Sequence, residues 1–364
     1  MSLPAHRPHL FVDISAHGLG HLAQTAPVLQ ALRQRLPALR LTVRSGLHAA
    51  RLCERVSGEF THLPGSSDFG YVMHDATEID LAVSAAAYRA AHADWPARVA
   101  AEADFLRALA PDLVLSDVAY LPLAGAARAG IPGVAMCSLN WAELFAHFFA
   151  GEDWAAPIQA QIDAAYAGAS AFLRLIPAMP MPRLHNGRDL PPVATPGRAR
   201  RAELRAALGC TQPTRIVLIA FGGFAKPLPL AKWPEQPGIC WLVPQAERGI
   251  RMDIIDPATL GLPFSDLLAS VDAVLTKPGY GTFVEAAYAG TPVLYVRRPD
   301  WPEQEALIDW LHAHARACEI DPGTLQCGNF AAPLAHLWQQ PAPARPAADG
   351  AARAAALMHG MLRA

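Results

Sequence analysis

The chain lacks the patterns that would make metal, disulfide or membrane chemistry the first reading. Its 364 residues hold six cysteines, at 53, 137, 210, 240, 318 and 327, without one Cys-x-x-Cys pair, so neither a zinc knuckle nor a disulfide framework is suggested. A reducing, cytoplasmic compartment is the expectation. No run of about eighteen uncharged apolar residues occurs and the first residues show no charged-then-apolar signal pattern, although 52% of the chain is hydrophobic. No membrane span is expected; alanine supplies much of that share. With 30 basic against 32 acidic residues, a net charge of -2, there is no basic excess for a nucleic-acid partner. Asp-x-Asp, P-loop and kinase signatures are absent as well, so neither a metal held by that acidic element nor sugar phosphorylation is expected.

What is present is strand and helix patterning in two blocks, in a chain too long for one ordinary core. The first block opens with the strand-like run His9 to Ile14, a glycine turn and a helical stretch from about Leu22 to Leu36. Then come Leu39 to Arg44, a long helical stretch from Ala82 to Leu109, Asp112 to Ser116, a helix near Leu121 to Ala129, and Gly133 to Cys137. Such alternation predicts an α/β doubly wound parallel sheet. Six prolines between Pro177 and Pro196 read as a connector, because proline stops helices and central strands. The second block restarts at Arg215 to Ala220 with Gly222-Gly223, then Gly238 to Val243, Arg251 to Ile255, Val271 to Leu275 and Val293 to Val296. The expected fold is therefore two tandem Rossmann-like domains, 1–176 and 200–340, joined by a linker over 177–199 and followed by a C-terminal helix within 341–364.

The most informative stretch is Lys277-Pro-Gly-Tyr-Gly-Thr-Phe-Val-Glu285, at a strand-to-helix turn. The first backbone N–H groups of a helix have no intrahelical partner and carry its positive dipole end, which suits phosphate. Gly279 and Gly281 allow close backbone approach, Thr282 adds a hydroxyl and Lys277 a compact charge. Glu285, one turn on, can accept from both hydroxyls of a ribose. On glycines alone, the stretch reads equally as a tight turn with a helix cap.

The spacing resembles the donor-nucleotide box of glycosyltransferases with the GT-B fold. In the plant small-molecule enzymes the box runs His-Cys-Gly-Trp-Asn-Ser-Thr-x-Glu, and Lys277, Gly279, Tyr280, Thr282 and Glu285 fall at corresponding places. That box ends in Asp-Gln, which holds sugar hydroxyls; here Glu303-Gln304 follows with two extra residues. The segment is also similar to the bacterial lipid-linked GlcNAc transferases and, most closely, to the glycosyltransferase-like part of plant arabinokinases. The resemblance implies two domains facing each other across a cleft, and a terminal helix returning to the first domain. It also implies a nucleotide-diphosphate sugar donor, of UDP type by the plant comparison. The uracil-stacking tryptophan of that family has no counterpart before Lys277, so the nucleobase stays open.

In the first block, Ser15-Ala-His17-Gly-Leu-Gly-His21-Leu-Ala23 follows the first strand directly, which puts His17 and His21 at the carboxyl edge of the sheet. Gly18 to Ala23 matches a plant Gly-Ile-Gly-His-Leu-Ala segment whose histidine is the base; His17 has its counterpart in the arabinokinase pattern. By the same resemblance Asp117 orients the histidine. An attacking hydroxyl must lose a proton, imidazole titrates near neutrality, and a carboxylate on its other nitrogen fixes the tautomer. No carboxylate nucleophile is then needed, so an inverting single displacement is expected. The diphosphate leaving group would be met by Gly281-Thr282, Gly222-Gly223 and Lys277 without a metal or other cofactor. Arg297 and Arg298 read as carboxylate partners or surface charges, with either able to reach an anion. Asn140, Trp141 and Tyr71 lie on the acceptor side, and the polar loop Ser66 to Thr77 reads as a lid; the aromatics Phe145, Phe148 and Phe149 also suit core packing. A nucleotide-sugar epimerase or hydrolase, and a binding module without turnover, are the competing expectations. The acceptor is not specified.

Overall fold

The computed structural model describes residues 7–209, 214–223, 226–246 and 251–363; Cys210 lies outside them. The chain divides into two compact units, one formed by Met1–His74, Ile79–Val193 and Ala348–Ala364, the other by Asp75–Glu78 and Ala194–Ala347.

Unit 1 carries seven parallel strands: β1 (His9–Ile14), β2 (Arg40–Ser45), β3 (Thr61–Pro64), β4 (Leu113–Asp117), β5 (Gly133–Cys137), β6 (Ala171–Leu175) and β7 (Gly187–Leu190). Their spatial order is β3-β2-β1-β4-β5-β6-β7. Every residue of β1, β4 and β5 is buried, as central strands require when helices cover both faces of a parallel sheet. The strand order reverses between β1 and β4, where Ile14 pairs with Asp117. Connections leaving these two strand ends run to opposite faces, so a crevice opens beyond their carboxyl ends.

Unit 2 repeats the plan with six parallel strands: β8 (Arg215–Ala220), β9 (Ile239–Leu242), β10 (Ile254–Ile255), β11 (Ala273–Thr276), β12 (Val293–Val296) and β13 (Ala317–Ile320), ordered β10-β9-β8-β11-β12-β13. Its reversal falls between β8 and β11, with Ala220 opposite Thr276. One face of the sheet is closed by Trp233, Trp241 and Phe330, whose rings meet at 4.8 to 5.4 Å between centroids. These are edge-on or tilted contacts, the arrangements that ring quadrupoles favour.

Three features differ from the sequence reading, each for a local reason. The helical stretch from Ala82 is two helices, Leu81–His92 and Trp95–Leu109, because Asp94 accepts from the Ala97 N–H at 3.2 Å and Pro96 occupies the first turn. The proline-rich stretch contains the edge strand β7, in a proline-free window from Arg183 to Leu190. Strands β3 and β6 are too short and irregular in pattern to stand out. The last helix, Gly350–Met361, packs on the helix Gly20–Arg35 within unit 1. Gly350 abuts the Pro191 carbonyl so closely that a Cβ would collide with backbone. Gly350→Ala should therefore destabilise unit 1 by about 1–3 kcal/mol; an unchanged melting temperature would refute this docking.

Candidate functional site

Both sheets place the residues singled out by sequence at the same topological position. In unit 1 the loop after β1 leads into the helix Gly20–Arg35, so His21 sits in its first turn. Gly18 makes this possible with a φ of 90°, a region that side chains disfavour, and its N–H turns back to the Ala16 carbonyl at 2.7 Å. Asp117 is the last residue of β4 and wholly buried. The two meet: His21 Nδ1 and Asp117 Oδ1 lie 2.9 Å apart. Thr25 Oγ1 donates to the other carboxylate oxygen at 2.6 Å, and the Ser15 N–H donates to the Asp117 carbonyl at 2.7 Å. A carboxylate only accepts, so Nδ1 carries the proton and Nε2 is the basic nitrogen. Thr25 was missed from sequence, although it lies four residues beyond His21 and hence on the same helix face.

A wall of buried side chains fixes the pair. Trp141 is wholly buried, with its ring centroid 5.5 Å from that of His17 and 6.0 Å from that of His21. Its Nε1–H donates to Asp68 Oδ2 at 2.7 Å, while Ser15 Oγ donates to Oδ1 at 3.1 Å. Burial, and then the charge of Asp13, push the Asp68 carboxyl up to about 6 against those hydrogen bonds. A cavity of about 170 Å3 opens beside it, lined in part by Ser67, Trp95, Arg98 and Tyr120. His17 lies close under Gly70, where a Cβ would come within 2.7 Å of its ring.

Cys137 Sγ lies 3.7 Å from His21 Nδ1, and one ligand atom from each of His21, Asp117 and Cys137 falls within 4.8 Å of the others. This trio could close on a soft divalent cation only by giving up the His21–Asp117 hydrogen bond at Nδ1 or by turning the imidazole.

Asn140 and Tyr71, expected on the acceptor side, are both buried. Asn140 is wholly buried and caps the helix Trp141–Phe149, accepting from the Glu143 N–H at 2.7 Å. Tyr71 is 2% exposed and packs among Tyr88, Trp141, Phe148 and Phe149. Of the loop expected as a lid, Asp75–Glu78 falls in unit 2, where Asp75 Oδ2 accepts from Lys226 Nζ at 2.6 Å.

In unit 2, the loops after β8 and β11 carry Gly222-Gly223 and Lys277-Pro-Gly-Tyr-Gly. Gly222 turns with a φ of 88°. Gly279 is the N-cap of the helix Tyr280–Ala289 and makes no side-chain cap, so no side chain covers the terminal N–H groups through that residue. Lys277 Nζ lies 3.8 Å from where a Cβ on Gly279 would stand. Burial, then the charge of Arg298, lower the Lys277 ammonium to about 7. Gly281 and Tyr280 are buried in the first turn, Thr282 is partly open, and Glu285 is 4% exposed one turn on.

Glu303 and Gln304 are brought near this loop, with different duties. Gln304 is occupied by the backbone of Arg298: its Oε1 accepts from the N–H and its Nε2 donates to the carbonyl, both at 3.0 Å. Those two hydrogen bonds tie Gln304 to the main chain of the loop after β12. Glu303, 5% exposed, accepts from Trp301 Nε1 at 3.1 Å.

No family model matches the chain. It is 27% identical over 269 residues to an L-arabinokinase of Arabidopsis thaliana, a match covering 72% of this chain and 26% of that protein. The chain thus spans about a quarter of the length of that curated relative. Among solved structures it resembles spinosyn forosaminyltransferase, with a TM-score of 0.60 at 17% identity over 99% of this chain and 95% of the other. A UDP-glucosyltransferase from Polygonum tinctorium gives 0.59 at 14% over 99% and 94%. A glycosyltransferase in complex with dTDP gives 0.55 at 18% over 98% and 95%.

Proposed function

The chain has the two-sheet α/β architecture of the GT-B glycosyltransferases, and we propose that it transfers a sugar from a nucleoside-diphosphate donor to a hydroxyl acceptor with inversion. The observation that supports this most is the His21 Nδ1 to Asp117 Oδ1 hydrogen bond of 2.9 Å at the crevice of unit 1. Nε2 takes the proton of the attacking hydroxyl; Asp117, steadied by Thr25, stabilises the imidazolium as it forms. Unit 2 binds the donor. The N-terminus of the helix Tyr280–Ala289 and Lys277 meet the diphosphate, Gly222-Gly223 lets its backbone approach, and Glu285 holds the ribose. As oxygen bonds to the anomeric carbon, the glycosidic C–O bond to the diphosphate breaks and the nucleoside diphosphate leaves with that electron pair. The acceptor is taken up on unit 1, on the side of Asp68 and its cavity. His17 braces Trp141 and, through it, the base.

The similarity to an arabinokinase supports a second reading, a nucleotide-sugar-binding module without turnover. A thermal-shift screen with UDP-, dTDP- and GDP-sugars separates the outcomes. A bound donor at one hundred times its Kd adds about 2.7 kcal/mol of stability, which should raise the melting temperature by several degrees. Transfer should persist in EDTA, since helix N-terminus and Lys277 carry the leaving charge. Binding without transfer or donor hydrolysis favours the module, and silence toward every nucleotide removes the donor-site assignment.

A further inference from the structure

The two consecutive arginines after β12 have opposite environments. Arg297 is 39% exposed in its side chain; its Nε donates to Glu319 Oε2 at 2.9 Å and its Nη1 also reaches Glu305. Two carboxylates satisfy it. Arg298 is 6% exposed, lies with Cζ 3.7 Å from the Trp301 ring centroid, and its buried Nε has no hydrogen-bond partner among the described residues. Burying a guanidinium N–H without an acceptor is costly, so the fold keeps it there against a penalty.

The charges around Arg298 leave an imbalance. Lys277, two residues before the N-cap of the helix Tyr280–Ala289, is near enough to Arg298 for the guanidinium charge to depress its ammonium. Glu303 is close to both, yet it already accepts from Trp301. Asp75 also acts on Arg298 electrostatically, but both its oxygens are committed, Oδ2 to Lys226 and Oδ1 to Thr77 and the Glu78 N–H. Burial foremost lowers Arg298 to about 10, as expected of a cation short of a counter-charge. An ammonium just before a helix N-terminus and a buried guanidinium therefore lie close together, with the buried Glu303 near both.

We propose that Arg298, stacked on Trp301, is a further donor-binding residue whose Nε–H and guanidinium take an anionic oxygen of the donor. That oxygen belongs either to the diphosphate or to a carboxylate on the transferred sugar, a uronate. The planar fork suits either, since both present paired oxygens. The inference deepens the donor-site reading of unit 2 and rests on it. Sequence position alone did not separate the two arginines; only burial and partners do.

The test is calorimetric titration of the full chain and of Arg298→Gln with inorganic pyrophosphate, UDP, UDP-glucose and UDP-glucuronate. If the diphosphate is the occupant, the substitution weakens all four about 10- to 100-fold. If a sugar carboxylate is the occupant, only UDP-glucuronate loses that factor and UDP is unchanged. A folded Arg298→Gln protein that binds every ligand as tightly as the wild type overturns the proposal. Should Arg298→Gln fail to fold, Arg298→Lys keeps the charge without the planar fork, and the same comparison decides with smaller losses expected. Wild-type protein that binds pyrophosphate through Arg298 but no nucleotide upholds the anion site and sinks the donor reading; wild-type protein that binds none of the four sinks both.

Discussion

Replacing His21 by alanine is expected to lower the rate of sugar transfer by about 10²- to 10⁴-fold while nucleotide affinity stays within a factor of two or so. The reason is the division of labour between the units. His21 Nδ1 is tied to Asp117 at 2.9 Å, so under the proposed mechanism the imidazole would act on the acceptor's proton through Nε2 and would not hold phosphate. Asp117→Asn keeps the shape but removes the negative charge that stabilises imidazolium, and an amide N–H turned toward Nδ1 would enforce the wrong tautomer. It should therefore also impair turnover without weakening donor binding. Single-turnover rates beside calorimetric Kd values make the check. A His21→Ala protein with unimpaired turnover would remove the base assignment.

Nucleotide binding should depend on pH through Lys277, and the dependence should vanish in Lys277→Met. With its ammonium lowered to about 7 by burial and by Arg298, Lys277 is cationic below that pH and increasingly neutral above it. A bound diphosphate favours the cation and raises that value again. Binding above pH 7 must then take up a proton, and affinity should fall as pH climbs from 7 toward 9, by up to about tenfold per unit while the free lysine is neutral and the bound one charged. The window begins at 7 because a terminal phosphate itself titrates near 6. The neighbours that set this behaviour are Arg298 and Glu303 beside the ammonium, with Asp75 facing Arg298. Calorimetry in two buffers of different ionisation enthalpy measures the proton uptake directly. Equal affinity and no uptake across the window would contradict the placement of Lys277 at the phosphates; Lys277→Met should bind about tenfold or more weakly at pH 7 and flatly with pH.

Much of the fold could be read from the chain because parallel strands buried on both faces advertise themselves as apolar runs. His9 to Ile14, Gly133 to Cys137 and Arg215 to Ala220 coincide with β1, β5 and β8. What periodicity did not show was the break at Asp94, where a capping side chain and Pro96 overrule a continuous helical pattern, and the short edge strand β7 hidden between prolines. At the site, glycine turns after strands were legible, since few residues other than glycine tolerate a φ near 90° at Gly18 and Gly222. Beyond the His21–Asp117 pair, which the family resemblance supplied, partnerships across long separations were not. The hydrogen bond from Trp141 to Asp68 joins residues 73 positions apart, and the clamp of Gln304 on Arg298 is invisible to spacing. Asn140 and Tyr71 were read as acceptor-side residues, and spacing gave no sign of the helix cap and the aromatic cluster that use them inside. Trp301 drew no notice because a lone tryptophan has no pattern; its meaning comes from the guanidinium above it.

The most direct measurement is a crystal structure of the protein grown with a nucleoside diphosphate, UDP or dTDP. The account predicts diphosphate density at the N-terminus of the helix Tyr280–Ala289, with oxygens accepting from the Gly281 and Thr282 backbone N–H groups and with Lys277 alongside. The ribose hydroxyls should face Glu285. Density for the nucleotide on any other surface, or a helix N-terminus left bare at saturating nucleotide, would contradict it.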